Sequence, residues 1–335
     1  MSKQRKARIR GLIFLIIGIA VLAGALIFLQ LRENSQYRET RNQMTTGFGT
    51  LKVVDFDGVQ YREKPAITTI LIAGIDPQEG NFTDTKYAYR GGGPADFLML
   101  LAIDHNDKVI HRLQIDRDTM VDVDVVGIFG NDVGTRNMQI TLSHNYGKDP
   151  QDNAQHTVTA LRRLLGGVEI DGYYMIEYPS MALINDTIGP VTVHLDYDMT
   201  SVNPEWTQGK DIELHGQEAE QFVRSRKTVG EGTNVERMDR QNEYMNKAIQ
   251  LIKKRLSENL GFGEELLSTL QNEAVTNFTQ KRLLEELNQC YNFEIGPIYH
   301  PAGTHFVNQF NNNEFHMEEN AAVEWVLEHL YTKVE

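Results

Sequence analysis

Residues 92–120 constrain the fold more than any other stretch, because they read as two extended segments, 95–104 and 108–118, joined by the short turn His105-Asn106-Asp107. Phe97 to Ile103 is an unbroken apolar run, as expected of a strand buried on both faces, whereas Val109, His111, Leu113 and Ile115 give the second segment a period of two. The first strand is therefore expected near the centre of a sheet. A turn centred on Asn106 sets Asp96 opposite Asp116, with Asp118 one step along the same face. Three carboxylates beside Arg117 at the mouth of a buried sheet repel one another unless a cation or a solvated edge relieves them. A slip of one residue in the register turns Asp96 to the other face.

Residues 1–10 hold Lys3, Arg5, Lys6, Arg8 and Arg10, and residues 11–31 then run without a charge. That length matches the ~20 residues a membrane-spanning helix needs. The competing reading is a cleavable signal peptide, which fits less well: the run exceeds the usual ~7–15 apolar residues and no small-x-small site precedes Arg32. The positive flank places the amino terminus in the cytoplasm and everything after Leu31 outside. The expected organisation is a cytoplasmic tail over 1–10, a transmembrane helix over 11–31, a juxtamembrane stalk over 32–65 and an extracellular domain over 66–335. Within that domain the motif core lies at 66–256 and further helices and strands at 257–335.

A ten-residue tail leaves no room for a cytoplasmic reader of nucleic acid. Charge argues the same way. Residues 1–41 carry eight Lys or Arg and two Asp or Glu, so of the chain's 33 basic and 46 acidic residues 25 and 44 remain beyond them, a net charge of −19. A nucleic-acid partner is excluded on that background. The single cysteine, Cys290, rules out an internal disulfide framework and reads as a buried, inert thiol.

Along the chain, Ile67–Ile75 reads as a buried strand, 76–93 as a Gly- and Asp-rich loop, 121–126 as extended, and 127–134 as a plain glycine loop, since no Gly-Lys-Ser/Thr or complete GxGxxG accompanies it. Residues 136–146 read as a helix start or an irregular strand. A helix is expected over 152–165 with Gly166-Gly167 behind it, and strands over 173–178 and 191–195. A short helix from Gln217 runs into an extended Arg224-Ser225-Arg226, whose two arginines point to one side. Thr233-Asn234 offers an N-cap for a long helix over 235–256. Helices are expected again over 264–270, 281–290 and 318–331, with strands around Phe293 and Phe315.

On the long helix Arg237, Arg240, Gln241 and Tyr244 share one stripe. Cations in the first turns oppose the macrodipole, which makes sense if an anion is held between them and the helix amides. The alternative is surface pairing with Glu231, Glu236, Asp239 or Glu243. Together with Arg224, Arg226, and Arg117 between Asp116 and Asp118, the set joins carboxylates to guanidiniums. Phosphoryl transfer needs both: carboxylates hold Mg²⁺ while forked guanidiniums neutralise the oxygens of a pyrophosphate. No GxSxG, HExxH or zinc-ligand spacing competes with that chemistry.

These residues resemble the LytR-CpsA-Psr proteins, also called cell envelope-related transcriptional attenuators. The resemblance spans about 67–256 and rests on a combination: a single amino-terminal span, the acid of Pro94-Ala95-Asp96-Phe97, Ile115-Asp116-Arg117-Asp118-Thr119, a helix followed by Ile170-Asp171-Gly172-Tyr173-Tyr174, Val223-Arg224-Ser225-Arg226, and Arg237-Met238-Asp239-Arg240-Gln241. It implies an α/β fold, an α-β-α sandwich around a central mixed sheet, with an apolar pocket for a polyprenyl chain. The implied activity is transfer of a glycopolymer from a polyprenyl pyrophosphate carrier to peptidoglycan at the outer face of the cell membrane. The implied roles are Mg²⁺ or Mn²⁺ binding by Asp96 and Asp118, and pyrophosphate contact by Arg117, Arg224, Arg226 and Arg237, completed by Arg240 and Gln241. Of these Arg117, Asp118, Arg224 and Arg226 are the expected catalytic set.

Three positions depart from the family pattern. Ala95-Asp96-Phe97 stands for Ser-Asp-Thr, Gln139-Ile140-Thr141 for Lys-x-Asn, and Asn234 for an acid; Arg136 is the one basic residue near the missing lysine, and an ion pair is its other reading. The departures leave two alternatives: a lipid-pyrophosphate-binding scaffold without transfer, and a metal-dependent hydrolase that releases the polymer to water. Asp116 lies outside the family pattern and is expected to be dispensable.

Overall fold

A computed structural model describes residues 52–77, 92–127, 130–318 and 320–334. The expected transmembrane helix over 11–31 and most of the loop over 76–93 lie outside them, and no helix among the described residues is long and apolar enough to cross a membrane. The chain divides into two units, residues up to 66 with 332–335, and Ile67–Tyr331. In the first, the end of the expected stalk is a hairpin of β1 (Val53–Phe56) and β2 (Val59–Glu63), turning through Asp57 and Gly58 at positive φ. The N–H of Val334 is donated to the carbonyl of Gln60.

The second unit is built on a six-stranded mixed sheet. Its strands are β3 (Ile67–Ile75), β4 (Ala95–Asp104), β5 (Val109–Ile115), β8 (Gly172–Glu177), β11 (Ala274–Thr276) and β12 (Glu294–Tyr299), in the order β11-β8-β3-β4-β5-β12. β3 runs parallel to β8 and antiparallel to β4, and β5 is antiparallel to β4 and parallel to β12. The apolar run in β4 has its physical reason here, since the strand is internal and both its faces are covered. Leu98 and Leu100 face the layer that includes the helix Pro150–Leu164 and the 3-10 turn Ile140–Asn145. On that same side His329, of the helix Ala321–Leu330, stacks on His111 of β5 at 4.1 Å. Phe97, Met99 and Leu101 face the helices Ser180–Ile188, Asn234–Glu258, Gly261–Leu270 and Gln280–Cys290. The mixed α/β architecture expected from the sequence is the one observed.

The hairpin register differs from expectation by one step. The ladder pairs Leu98 with Ile115 and Asp104 with Val109, which sets Asp96 level with Arg117 rather than with Asp116. The cause is a turn one residue longer than the sequence suggested. Asp104 Oδ1 accepts the N–H groups of Asn106 and Asp107, each at 2.9 Å, and Lys108 takes φ 56° to rejoin the strand.

The remaining strands serve the site indirectly. β6 (Met120–Val126) and β7 (Asp132–Gln139) form a hairpin that ends in the 3-10 turn, so residues 136–146 are strand first and helix second. β9 (Val191–His194) pairs with β10 (Asp211–Leu214), and β13 (Gly303–Val307) with β14 (Asn313–Met317).

Candidate functional site

Four chain segments meet at one end of the sheet. β3 and β8 finish there next to Asp76 and Tyr178, β4 begins there with Asp96, and β5 leaves through Asp116-Arg117-Asp118. Carboxyl ends of strands are the usual place for a ligand crevice in an α/β sheet. Closure of β3 on β4 depends on Gly93, at φ +66°, where a Cβ would collide with the carbonyl oxygen of Asp76.

The long helix enters the same end by its amino terminus. The Thr233 hydroxyl accepts the N–H of Glu236 at 3.2 Å, and the Glu236 carboxylate accepts the N–H of Thr233 at 3.3 Å, a capping box that fixes where the helix starts. Asn234, Arg237, Arg240 and Gln241 are consequently buried.

Asp96 is the hub. One of its oxygens accepts from Arg117 Nη1 and, at 3.4 Å, from the Thr141 hydroxyl; the other accepts from Arg237 Nη1 at 2.7 Å. Arg117 also donates Nε–H to Asp118 Oδ1 at 3.2 Å, so one guanidinium joins both acids. Asp116 stands behind them. Its Oδ1 accepts the N–H of Asp118 at 2.8 Å and the amide of Asn234 at 2.9 Å, while Asn234 Oδ1 accepts from Arg237 Nη2 at 2.6 Å. The amide of Asn234 thus ties Asp116 to Arg237, a bridge that an acid at this position, with acceptors only, cannot make.

The electrostatics single out Asp118 and Arg226. Burial pushes the Asp118 carboxyl up, Arg117 opposes that and Asp116 adds to it; its Oδ2 is buried without a partner. Burial also works against the charge of Arg117, but Asp96 and Asp118 outweigh it and hold the guanidinium above its ordinary pKa. Arg226 is pushed down by burial and then by the neighbouring charges of Arg237 and Arg117, with Asp118 and Asp96 opposing, and among the described residues its guanidinium has no hydrogen-bond or ion-pair partner. A buried lone acceptor and an unpaired, half-buried cation side by side are costly unless a cation satisfies one and an anion the other.

The donors suit a hard divalent cation. Carboxylates of Asp96 and Asp118 and the hydroxyl of Thr141 offer oxygen donors, and one guanidinium, Arg117, reaches both acids. Asp118 Oδ2 is free to bind it, whereas Asp96 gains a free oxygen only when Arg117 or Arg237 turns away.

The expected site residues thus divide. Asp96, Arg117, Asp118 and Arg237 are in direct contact, with Arg226 beside them. Arg224 is the last residue of the helix Gln217–Arg224 rather than part of an extended segment, and it turns to the rim, giving Nη2–H to Asp76 Oδ1 at 2.6 Å and Nη1–H to Glu220 Oε1 at 3.1 Å. Arg240, expected at the pyrophosphate, donates instead to the carbonyls of Phe222, Glu236 and Ser225, and burial lowers its pKa to about 10. Gln241 donates to the Tyr178 hydroxyl at 2.9 Å and the Val223 carbonyl at 3.3 Å. These two position the 222–226 segment. Arg136 is exposed on β7. Asp76, Tyr178 and the bridging role of Asn234 were not read from the sequence, whereas Thr141 and Asn234 stood out there only as departures from the family pattern.

An apolar cavity of about 440 Å³ opens beside the cluster, its walls running from Tyr178, Val223 and Gln241 to Leu270 and Leu287. A second, of about 310 Å³, shares Ile72, Leu101, Ile249 and Ile252 with it and ends at Glu286 and Cys290. Together they form a slot between sheet and helices.

The profile of the LytR_cpsA_psr family matches residues 30–314. The chain belongs to that family. Within it, the polyisoprenyl-teichoic acid-peptidoglycan teichoic acid transferase TagU of Oceanobacillus iheyensis is 26% identical over 228 residues, which are 67% of this chain and 62% of that protein. The chain therefore spans about three fifths of the length of that curated relative. Among solved structures, TagV of B. subtilis superposes with a TM-score of 0.59 at 20% identity, covering 79% of this chain and 96% of that one. Protein gbs0355 of Streptococcus agalactiae gives a TM-score of 0.62 at 15% identity, covering 80% and 90%. These likenesses show a shared fold.

Proposed function

We propose that the protein is a membrane-anchored phosphotransferase, dependent on Mg²⁺ or Mn²⁺, that moves a glycopolymer from a polyprenyl pyrophosphate carrier to peptidoglycan. The observation that carries this reading is an apolar slot opening onto a buried cluster of acids and arginines with one unpaired guanidinium, Arg226. An isoprenoid chain is wholly apolar and its diphosphate is anionic, so the two halves of the carrier match the two halves of the site. The TagU relative, a polyisoprenyl-teichoic acid-peptidoglycan teichoic acid transferase by name, supports the same substrate class. The charge pattern of residues 1–31 supports an amino terminus in the cytoplasm and a domain at the outer face.

In this reading Arg226 and Arg117 hold the non-bridging oxygens of the diphosphate, Arg237 keeps Asp96 in place, and Arg224 guards the rim. A sugar hydroxyl of the acceptor forms a bond to the phosphorus nearest the polymer as that phosphorus releases the bridging oxygen, which leaves with polyprenyl phosphate, and the hydroxyl proton passes to solvent. Asp96 and Asp118 would hold a divalent ion, whose chemistry there would be neutralisation of the charge that builds on the leaving group. Positioning and charge stabilisation account for catalysis, with no side-chain nucleophile.

A second reading, a lipid-pyrophosphate-binding scaffold, is favoured by the engagement of both Asp96 oxygens with arginines. Incubation of the full chain with a polyprenyl pyrophosphate-linked glycopolymer and peptidoglycan, followed by product analysis, separates the possibilities. Metal-dependent appearance of wall-linked polymer is the expected result. Free phosphorylated polymer would mean a hydrolase, and binding without turnover a scaffold.

A further inference from the structure

The cavity has another chemically distinct end. His105 opens the β4–β5 turn, and Glu286 and Cys290 lie four residues apart on one face of the helix Gln280–Cys290. His105 Nε2 is 3.6 Å from Glu286 Oε2, Cys290 Sγ is 4.0 Å from the same oxygen, and the three donor atoms all lie within 4.8 Å of one another. No other group of three or more such side chains among the described residues comes together this closely, the acids at the arginine cluster included. Metal–ligand bonds of ~2.0–2.3 Å set the donor–donor edges of a tetrahedron at about 3.3–3.8 Å, so shifts of about an ångström or less close the triangle around one ion. The hydroxyl of Thr68, 3.0 Å from His105 Nε2, borders the same point.

We propose that His105, Glu286 and Cys290 form a binding site for a borderline-soft transition-metal ion of the Zn²⁺ class. The ion pins the β4–β5 turn to the helix that closes this end of the slot. A nitrogen, an oxygen and a sulfur donor select such an ion over the Mg²⁺ that the all-oxygen donors of Asp96 and Asp118 suit. On binding, Cys290 loses its thiol proton to solvent and coordinates as thiolate, replacing the inert thiol expected from the sequence. His105 and Glu286 are partly exposed, which gives the ion a way in.

The test uses the untagged, metal-free full chain in detergent, titrated with Co²⁺. The expected result is one equivalent bound with a near-ultraviolet thiolate-to-cobalt charge-transfer band and the strong visible bands of four-coordinate cobalt, all displaced by Zn²⁺. Cys290→Ser abolishes the charge-transfer band, and His105→Gln, at a partly exposed turn, weakens binding roughly tenfold or more. Cobalt at the Asp96 and Asp118 carboxylates gives no thiolate band, so failure here and failure of the proposed phosphotransfer are separable. Absence of the band in the wild type, or its persistence in Cys290→Ser, overturns the site and leaves His105 and Glu286 as an ordinary ion pair.

Discussion

Arg226 and Arg240 stand eighteen or fewer residues from Arg224 and Arg237 in one constellation, yet their surroundings give them opposite roles. Arg240 is spent on three backbone carbonyls, so Arg240→Ala strands buried acceptors and is expected to cost about 3 kcal/mol of stability in denaturant titration. Arg226 has nothing to lose in the free protein. Arg226→Ala is expected to leave the melting temperature unchanged or raised, while affinity for a polyprenyl diphosphate, read by calorimetry, falls about tenfold or more. Asp116 also changes role. It lies outside the family pattern, but its carboxylate holds the Asp118 N–H and the Asn234 amide, and Asp116→Ala is expected to destabilise by about 2 kcal/mol in the same titration. Residue types pointed to the chemistry proposed above; which arginine is left without a partner depends on residues more than a hundred positions away, such as Asp96 for Arg237, and no local pattern encodes that.

At the scale of elements, β3, β4 and the long helix were legible because each carries a strong local signal: β-branched runs in one, an unbroken apolar run in another, and Thr233 ahead of a 3.6-residue periodicity in the third. The hairpin register was not, since it hangs on Lys108 at positive φ and on the Asp104 side chain, a choice of turn rather than of strand. The helix Ser180–Ile188 was missed although Pro179 precedes it and Gly189, at φ 95°, ends it; with nine residues its periodicity was too short to register. The capping box makes a clear prediction. Thr233→Ala is expected to lower stability by about 1 kcal/mol and, by fraying the turn that holds Asn234 and Arg237, to weaken divalent-metal binding as well. Thermal melts with and without Mg²⁺ measure both effects.

At the scale of the whole molecule, the slot meets the cluster at Tyr178, Val223 and Gln241. Ile249 lines both parts of the slot, and Ile249→Trp is expected to block long-chain polyprenyl phosphate while leaving a short-chain diphosphate bound, as competition binding would show. The slot itself was invisible in the sequence beyond what the family resemblance implied, because a cavity is a property of how helices stand off a sheet. The most direct test compares wall-linked product formed by the full chain, by Asp118→Ala and by Arg226→Ala, with polyprenyl pyrophosphate-linked glycopolymer and peptidoglycan as substrates and Mg²⁺ present. Each variant is expected to lose about 100-fold or more in rate while remaining folded; equal rates for all three would contradict the assignment of transfer to this cluster.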